Sequence, residues 1–139
     1  MKSTNILSLG TAALLLFVGL GAVAGGLGAI LDPSGESLGV TVDLLINSPF
    51  ENYLIPGIVL FSLIGLTSLL VSFLTFKQHL LSGGATIILG FIMIIWIVLQ
   101  VYWIGWLTLL QPTFLVIGFA EIILGFVLHS RNLFYFRKL

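Results

Sequence analysis

Long apolar runs follow one another along the chain, separated by short polar stretches. Four stand out, roughly Ile6 to Leu31, Leu54 to Phe76, Leu80 to Ile104 and Thr113 to His129. Each reaches or approaches the ~17–25 residues an α-helix needs to cross a hydrocarbon core ~30 Å thick. The uncharged stretch from Leu80 to Ala120 is too long for one crossing. Gly105 and the pair Gln111-Pro112 divide it, with Pro112 suited to the first turn of a helix. The pattern predicts an all-α polytopic membrane protein, one four-transmembrane-helix bundle over residues 1–139, with an outer loop at residues 32–53.

Composition strengthens this reading. The chain is 59% hydrophobic and 7% charged, against roughly 25% charged residues in an average soluble domain. A soluble fold would lack the polar residues to cover itself, so membrane lipids are the expected surroundings. Five basic and five acidic residues cancel, leaving no overall field to recruit nucleic acid. The lack of cysteine excludes disulfides, thiolate metal sites and thiol redox chemistry.

The placement of charge predicts an orientation. Four crossings put Lys2, Lys77, Arg131, Arg137 and Lys138 on one side, and Asp32, Glu36, Asp43 and Glu51 on the other. The positive-inside rule then places both termini in the cytoplasm. Aromatic residues fit interfacial belts, with Phe50, Tyr53, Tyr102, Trp103 and Trp106 outside and Phe134, Tyr135 and Phe136 inside. Arg131, Arg137 and Lys138 around the inner belt read as an anchor to anionic headgroups. A cleaved signal peptide competes at the N-terminus, because Lys2 and an apolar run precede Ala22-Val23-Ala24. The run exceeds the usual ~7–15 residue apolar region of such peptides, so a retained first helix is expected.

The connections differ in kind. Lys77-Gln78-His79 is short enough to force an antiparallel hairpin. The first outer loop opens on the turn signal Asp32-Pro33-Ser34-Gly35. Val42 to Ile46 suits a short surface helix. Ser48-Pro49-Phe50-Glu51 reads as a capping box, which would start a helix that Pro56 must end or kink. A loop of this length is expected to be ordered and to cap the outer mouth of the bundle.

One residue breaks the apolar pattern. Glu121 stands in VIGFAEIILGF, near the middle of the fourth run. A charge there costs about 2.5 to 3.5 kcal/mol on the insertion scale. The eleven Leu, Ile, Phe and Val residues between Thr113 and His129 offset roughly 3 to 7 kcal/mol, so insertion is permitted but does not explain the residue. Gly118 and Gly125 share its stripe at helical spacing, which predicts that the stripe faces the bundle. No Lys or Arg lies in any run, so the partners available within the chain are neutral: Gln100, Tyr102, Thr67, Ser62, Ser72 or Thr86. Three roles stay open. Glu121 binds a ligand or a proton in a cavity, acts as hydrogen-bonding glue between helices, or meets a basic residue of another membrane protein.

Other features are secondary. Met93, Trp96, Gln100 and Trp103 form one face of the third helix, either the wall of a pocket or ordinary packing and interfacial anchoring. Gly21, Gly25 and Gly28, with Ala22 and Gly26 beside them, predict a close helix contact, within the chain or between two copies. His79 and His129 fall at inner helix ends without a second ligand at metal spacing. No catalytic serine elbow, zinc-protease pair or phosphate-binding loop occurs. No catalytic residues, metal site or cofactor are therefore expected.

The segments LDPSGESLGV, SPFENYLIPGIVLF and QPTFLVIGFAEIILGF resemble small bacterial four-helix integral membrane proteins. The resemblance covers most of the chain and implies the topology, with no activity to transfer. Small multidrug transporters differ in placing their key glutamate in the first helix. Claudins and tetraspanins differ in requiring cysteines. The EXPERA fold is similar in helix count but uses more than one buried acid. The resulting expectation is a small amphipathic or lipid-like ligand held near Glu121, with Trp96, Gln100 and Trp103 as walls. The alternative is an accessory subunit, or a homodimer, packing through glycine-rich faces.

Overall fold

The computed structural model describes residues 6–138. Lys2 of the expected charge set and the side chains of Tyr135 and Phe136 lie outside the described part. Four helices long and apolar enough to cross a membrane follow in order: α1 (Ile6–Leu31), α2 (Leu54–Phe76), α3 (Ser82–Ile104) and α4 (Leu110–Arg137). No β-strand occurs among the described residues. The fold is an all-α four-helix bundle. At ~1.5 Å per residue each helix runs about 35 to 42 Å, enough to cross the hydrocarbon core.

α4 is longer than its apolar run, continuing past His129 to Arg137. No Gly or Pro follows Gly125, so the change from apolar to basic residues marks the end of the lipid phase and not of the helix. Gly105, at φ +73°, ends α3, and Pro112 sits in the first turn of α4. α3 starts at Ser82, two residues late, because Leu81 N–H donates to His79 Nδ1 (3.0 Å) in the preceding turn.

The expected capping box does not form. The Ser48 hydroxyl donates to Leu45 O (2.8 Å) and accepts from Phe50 N–H (3.2 Å), closing a local turn. α2 begins instead at Leu54, whose N–H donates to Asn52 Oδ1 (3.0 Å). That start puts Pro56 in the first turn, where its missing N–H has no intrahelical partner to lose, so no kink is required. Farther along, α2 widens into a π-helical stretch over Leu60–Leu66.

The bundle consists of two tight hairpins, α1 on α2 and α3 on α4, which meet each other over a smaller area. Glycine permits both close contacts. A Cβ at Gly26 would lie 2.7 Å from Phe61 N, and one at Gly65 3.0 Å from Val23 N, so no larger residue fits between α1 and α2. Between α3 and α4, a Cβ at Gly90 would lie 2.6 Å from Gly118 O, and one at Gly125 2.8 Å from Gly83 O. Two apolar clusters join the hairpins. Val18, Ala22, Ile64, Met93 and Ile97 form one, and Leu15, Val71 and Leu89 the other.

Hydrogen bonds fix which ends lie together. Asn132 Nδ2 donates to His79 O and to Ser82 Oγ (3.3 Å each), bringing the end of α4 to the α2–α3 turn. Ser72 Oγ donates to Ala12 O (2.6 Å), bringing the start of α1 there too. This is the terminal end of the bundle. The opposite end carries residues 32–53 and the α3–α4 connection, and is called the loop end below.

Candidate functional site

At the loop end the two hairpins diverge around a cavity of about 380 Å³. On one side α1 contributes Val18, Gly21, Ala22, Gly25 and Ala29, and α2 contributes Pro56, Gly57, Leu60 and Ile64. Across from them stand Met93, Trp96, Ile97, Gln100 and Trp103 of α3, with Gln111 and Phe114 of α4. The face of α3 read from sequence thus lines a pocket. Three of its four residues, Trp96, Gln100 and Trp103, are among the expected site residues.

The α1 glycines require a correction. Gly21 and Gly25 do not make the expected helix contact. A Cβ at Gly21 would meet nothing within 4 Å, and one at Gly25 would touch only Leu60 at an ordinary 3.4 Å. Both residues line the cavity. The close contact belongs to Gly19 and Gly26, on a different face of α1, where added Cβ atoms would come within 2.8 Å of α2.

Residues 32–53 cover the mouth. Leu38, Val40, Leu45, Phe50 and Tyr53 all line the cavity. The segment expected to form a surface helix is a 3-10 turn, Val42–Leu45, that buries Leu45 inward and leaves Val42 and Ile46 exposed. Asp32 organises the first turn. Its carboxylate accepts from the Ser34 hydroxyl (2.6 Å) and from Ser37 N–H (2.9 Å). Those bonds, the Ser34 hydroxyl foremost, hold its carboxyl below the ordinary 3.8. Gly35 follows at φ +81°, and a Cβ there would lie 2.7 Å from the Tyr53 ring. Tyr53 fastens the loop at both ends, its N–H donating to Pro33 O (2.9 Å) and its hydroxyl to Thr41 O (2.7 Å). Partial burial raises its phenol above the ordinary 10.0. Phe50 meets Trp103 edge-on at 5.3 Å, so both turn toward the cavity mouth, whereas Tyr102 and Trp106 remain exposed as an interfacial belt requires.

Gln111 was read from sequence only as a helix break. It is buried, and its Oε1 accepts from Leu107 N–H (2.7 Å) while its Nε2 donates to Gly105 O (3.1 Å) and Gln100 Oε1 (3.5 Å). It ties the α3–α4 connection to the cavity wall. A polar residue just before Pro112, at the start of an apolar run, was the available signal.

Glu121 is not among the residues lining the cavity. It is 1% exposed, and neither carboxyl oxygen has a hydrogen-bond partner among the described residues. The neutral partners expected from sequence are occupied elsewhere. Ser62, Ser72 and Thr86 donate to the carbonyls of Ile58, Ala12 and Ser82, and Thr67 to that of Ser62. Gln100 pairs with Gln111, and Tyr102 is exposed. As expected, the stripe of Gly118, Glu121 and Gly125 is buried in the bundle, against α3.

That stripe has a counterpart. Gly83, Thr86 and Gly90 on α3 repeat its spacing of three and four residues. The helices run antiparallel, with Gly125 against Gly83 and Gly118 against Gly90. Glu121 and Thr86 therefore occupy the same level between the two glycine contacts. Met93, the cavity-lining residue of α3 nearest the terminal end, would lie 3.3 Å from a Cβ on Gly118. The Glu121 backbone follows one turn from Gly118 toward the terminal end. The histidines stay apart from it: His79 is exposed in the α2–α3 turn, and His129 backs onto Gly83 with its Nδ1 buried. No cluster of His, Asp or Glu suited to a metal occurs among the described residues.

No family model, curated protein or solved structure matches the chain. The site must therefore be interpreted from its own chemistry.

Proposed function

We propose that this protein binds a small amphipathic or lipid-like molecule in the loop-end cavity, with the apolar part of the ligand against Trp96, Ile97 and Leu60 and its polar group at Gln100. The observation that carries this reading is the size of the cavity set against its lining. The cavity of about 380 Å³ is lined mostly by apolar side chains, so water is a poor occupant, and an apolar molecule with one hydrogen-bonding end matches both the walls and the amide of Gln100. The volume falls within the ~300–1,000 Å³ range of small-molecule pockets. The sequence expectation that Glu121 itself anchors the ligand gives way to Gln100, because Gln100 reaches the cavity and Glu121 does not.

The same reading places the protein in a bacterial cytoplasmic membrane with the terminal end cytoplasmic. Lys77, Arg131, Arg137 and Lys138 stand at that end and Asp32, Glu36, Asp43 and Glu51 at the other, as the positive-inside rule requires. The accessory-subunit reading has less support, because Gly19, Gly26, Gly83, Gly90, Gly118 and Gly125 are all used within the chain.

Native mass spectrometry of protein released from mild detergent tests the proposal. Wild type should carry a small-molecule adduct, and Gly21→Leu, which places a side chain in the cavity without meeting the backbone, should lose it. Glu121→Gln should retain it. A bare wild-type chain, or an adduct equally abundant on Gly21→Leu, would overturn the reading.

A further inference from the structure

A polar group in an apolar cavity selects its ligand by what it has left to give. Gln111, in the first turn of α4, has its amide fixed by the backbone around it. Leu107 N–H donates to its Oε1 (2.7 Å), and its Nε2 donates to Gly105 O (3.1 Å). The same Nε2 donates to Gln100 Oε1 at 3.5 Å. That contact is long for a hydrogen bond, yet it sets the direction of the Gln100 amide, because a reversed side chain would bring NH2 against NH2. The Gln100 carbonyl is therefore turned to Gln111. Its Nε2, which carries two N–H donors, has no acceptor among the described residues.

The rest of the lining narrows the choice. Among the described residues around the cavity there is no Asp, Glu, Lys, Arg or His. The Tyr53 hydroxyl is committed to Thr41 O (2.7 Å). Trp96 and Trp103, on the same wall as Gln100, each carry an indole N–H that donates and cannot accept. The α3 wall thus has donors to spare and no charge to offer.

We propose, resting on the ligand-binding reading above, that the polar group of the ligand is an uncharged hydrogen-bond acceptor, the carbonyl of an ester or ketone, held by Gln100 Nε2. Gln111 acts on the ligand only through Gln100, as a positioning residue. An ammonium headgroup would need an anion, and a carboxylate or phosphate headgroup a cation; burying either charge unpaired is strongly unfavourable. A hydroxyl can accept from Gln100 but leaves its own O–H unpaired, which forfeits much of the gain. A carbonyl has acceptor sites alone and leaves no donor without a partner.

Four probes that share one alkyl chain length test the assignment: methyl laurate, dodecanol, dodecylamine and lauric acid. Binding to the full chain is followed by tryptophan fluorescence, since Trp96 and Trp103 line the cavity, in dodecyl maltoside, a detergent without a carbonyl. At neutral pH methyl laurate should bind about tenfold or more tightly than dodecylamine or laurate. The infrared band of an isotope-labelled ester carbonyl should move to lower frequency on wild type. Gln100→Leu should abolish that shift and weaken ester binding about two- to tenfold. In Gln111→Leu the Gln100 amide can turn its oxygen inward, so the preference for methyl laurate over dodecanol should shrink, whereas lost stability alone would weaken both probes alike. If that variant does not fold, Gln100→Leu decides alone. Equal affinity for the ester and the charged probes, or an ester band that is the same in wild type and Gln100→Leu, would overturn the ligand class and leave the cavity reading standing. An unchanged preference in folded Gln111→Leu would overturn its positioning role. No binding by any probe would overturn both the ligand class and the cavity reading.

Discussion

Gly90 and Gly84 lie on the same helix and offer a matched test of how the α3–α4 hairpin is held. A Cβ at Gly90 would stand 2.6 Å from Gly118 O, 2.7 Å from Ile122 Cγ1 and 2.9 Å from Ile122 N. Ordinary carbon contacts lie at ~3.5–4.0 Å, so the helices must separate by about 1 Å. A gap of ~0.5–1 Å costs facing atoms a quarter to a half of their attraction. Gly118 and Ile122 offer mostly backbone there, which cannot rotate away. Overpacking of this kind costs about 1–3 kcal/mol. At Gly84 an added Cβ meets nothing within 4 Å.

Alanine also gains about 0.8–1.0 kcal/mol in helix propensity over glycine. That gain applies to both sites and cancels in the difference, even if the helices persist when the bundle comes apart. Gly84→Ala should therefore be at least as stable as wild type, and Gly90→Ala should fall about 1–3 kcal/mol below Gly84→Ala. Unfolding in mixed micelles at increasing SDS fraction, followed by tryptophan fluorescence, measures both variants against wild type. If Gly90→Ala matched Gly84→Ala, the close approach of α3 and α4 at Gly118 would be refuted, and with it the register that places Thr86 level with Glu121.

Two further outcomes follow from the loop end. Gln111→Leu leaves Leu107 N–H, Gly105 O and Gln100 without their shared partner, at ~0.5–1.5 kcal/mol per bond; the same SDS titration should show a loss of about 1.5–4.5 kcal/mol, and an unchanged midpoint would refute the role given to Gln111. Asp32 has a carboxyl held below 3.8 in the folded chain, so the order it gives the loop should persist from neutral pH down to about 3.8 and be lost as pH falls through the folded value; the protection of the Ser37 amide relative to its intrinsic exchange in wild type should drop only in that acid range, and an equal drop in Asp32→Asn would disprove the assignment.

The helices were legible in the sequence because lipid imposes a crude requirement, about twenty apolar residues per crossing, that the chain meets four times. Helix ends were less legible. Hydropathy reports where lipid stops, so α4 was cut short at His129 although nothing in Ser130-Arg131-Asn132 breaks a helix. The capping box failed for another reason. Ser48 Oγ accepts from Phe50 N–H within a local turn, and no helix starts until Leu54, whose N–H donates to Asn52 Oδ1. Helical spacing alone put Met93, Trp96, Gln100 and Trp103 on one face, but left open whether that face met a pocket or ordinary packing. The position of Glu121 did not follow. Spacing places it on the Gly118–Gly125 stripe but cannot say which helix the stripe meets or at what height. The matching stripe of Gly83, Thr86 and Gly90 was present in the sequence, and comparing glycine spacings between runs would have paired the two.

Glycine explains both the tight hairpins and the space between them. On the face of α1 that holds Gly19 and Gly26, the missing side chains let α2 approach until backbone meets backbone. On the face that holds Gly21 and Gly25, the same absence produces a void, because the elements across from it carry bulky residues. Trp96 on α3 and Phe114 on α4 keep those helices at a distance. Phe114 also stacks on Phe17 of α1 at 6.3 Å, setting the separation just below the cavity. Whether a glycine makes a contact or a cavity is thus decided by what stands opposite it. A small-residue stripe read alone has two equally physical meanings, and in this chain adjacent faces of one helix use both.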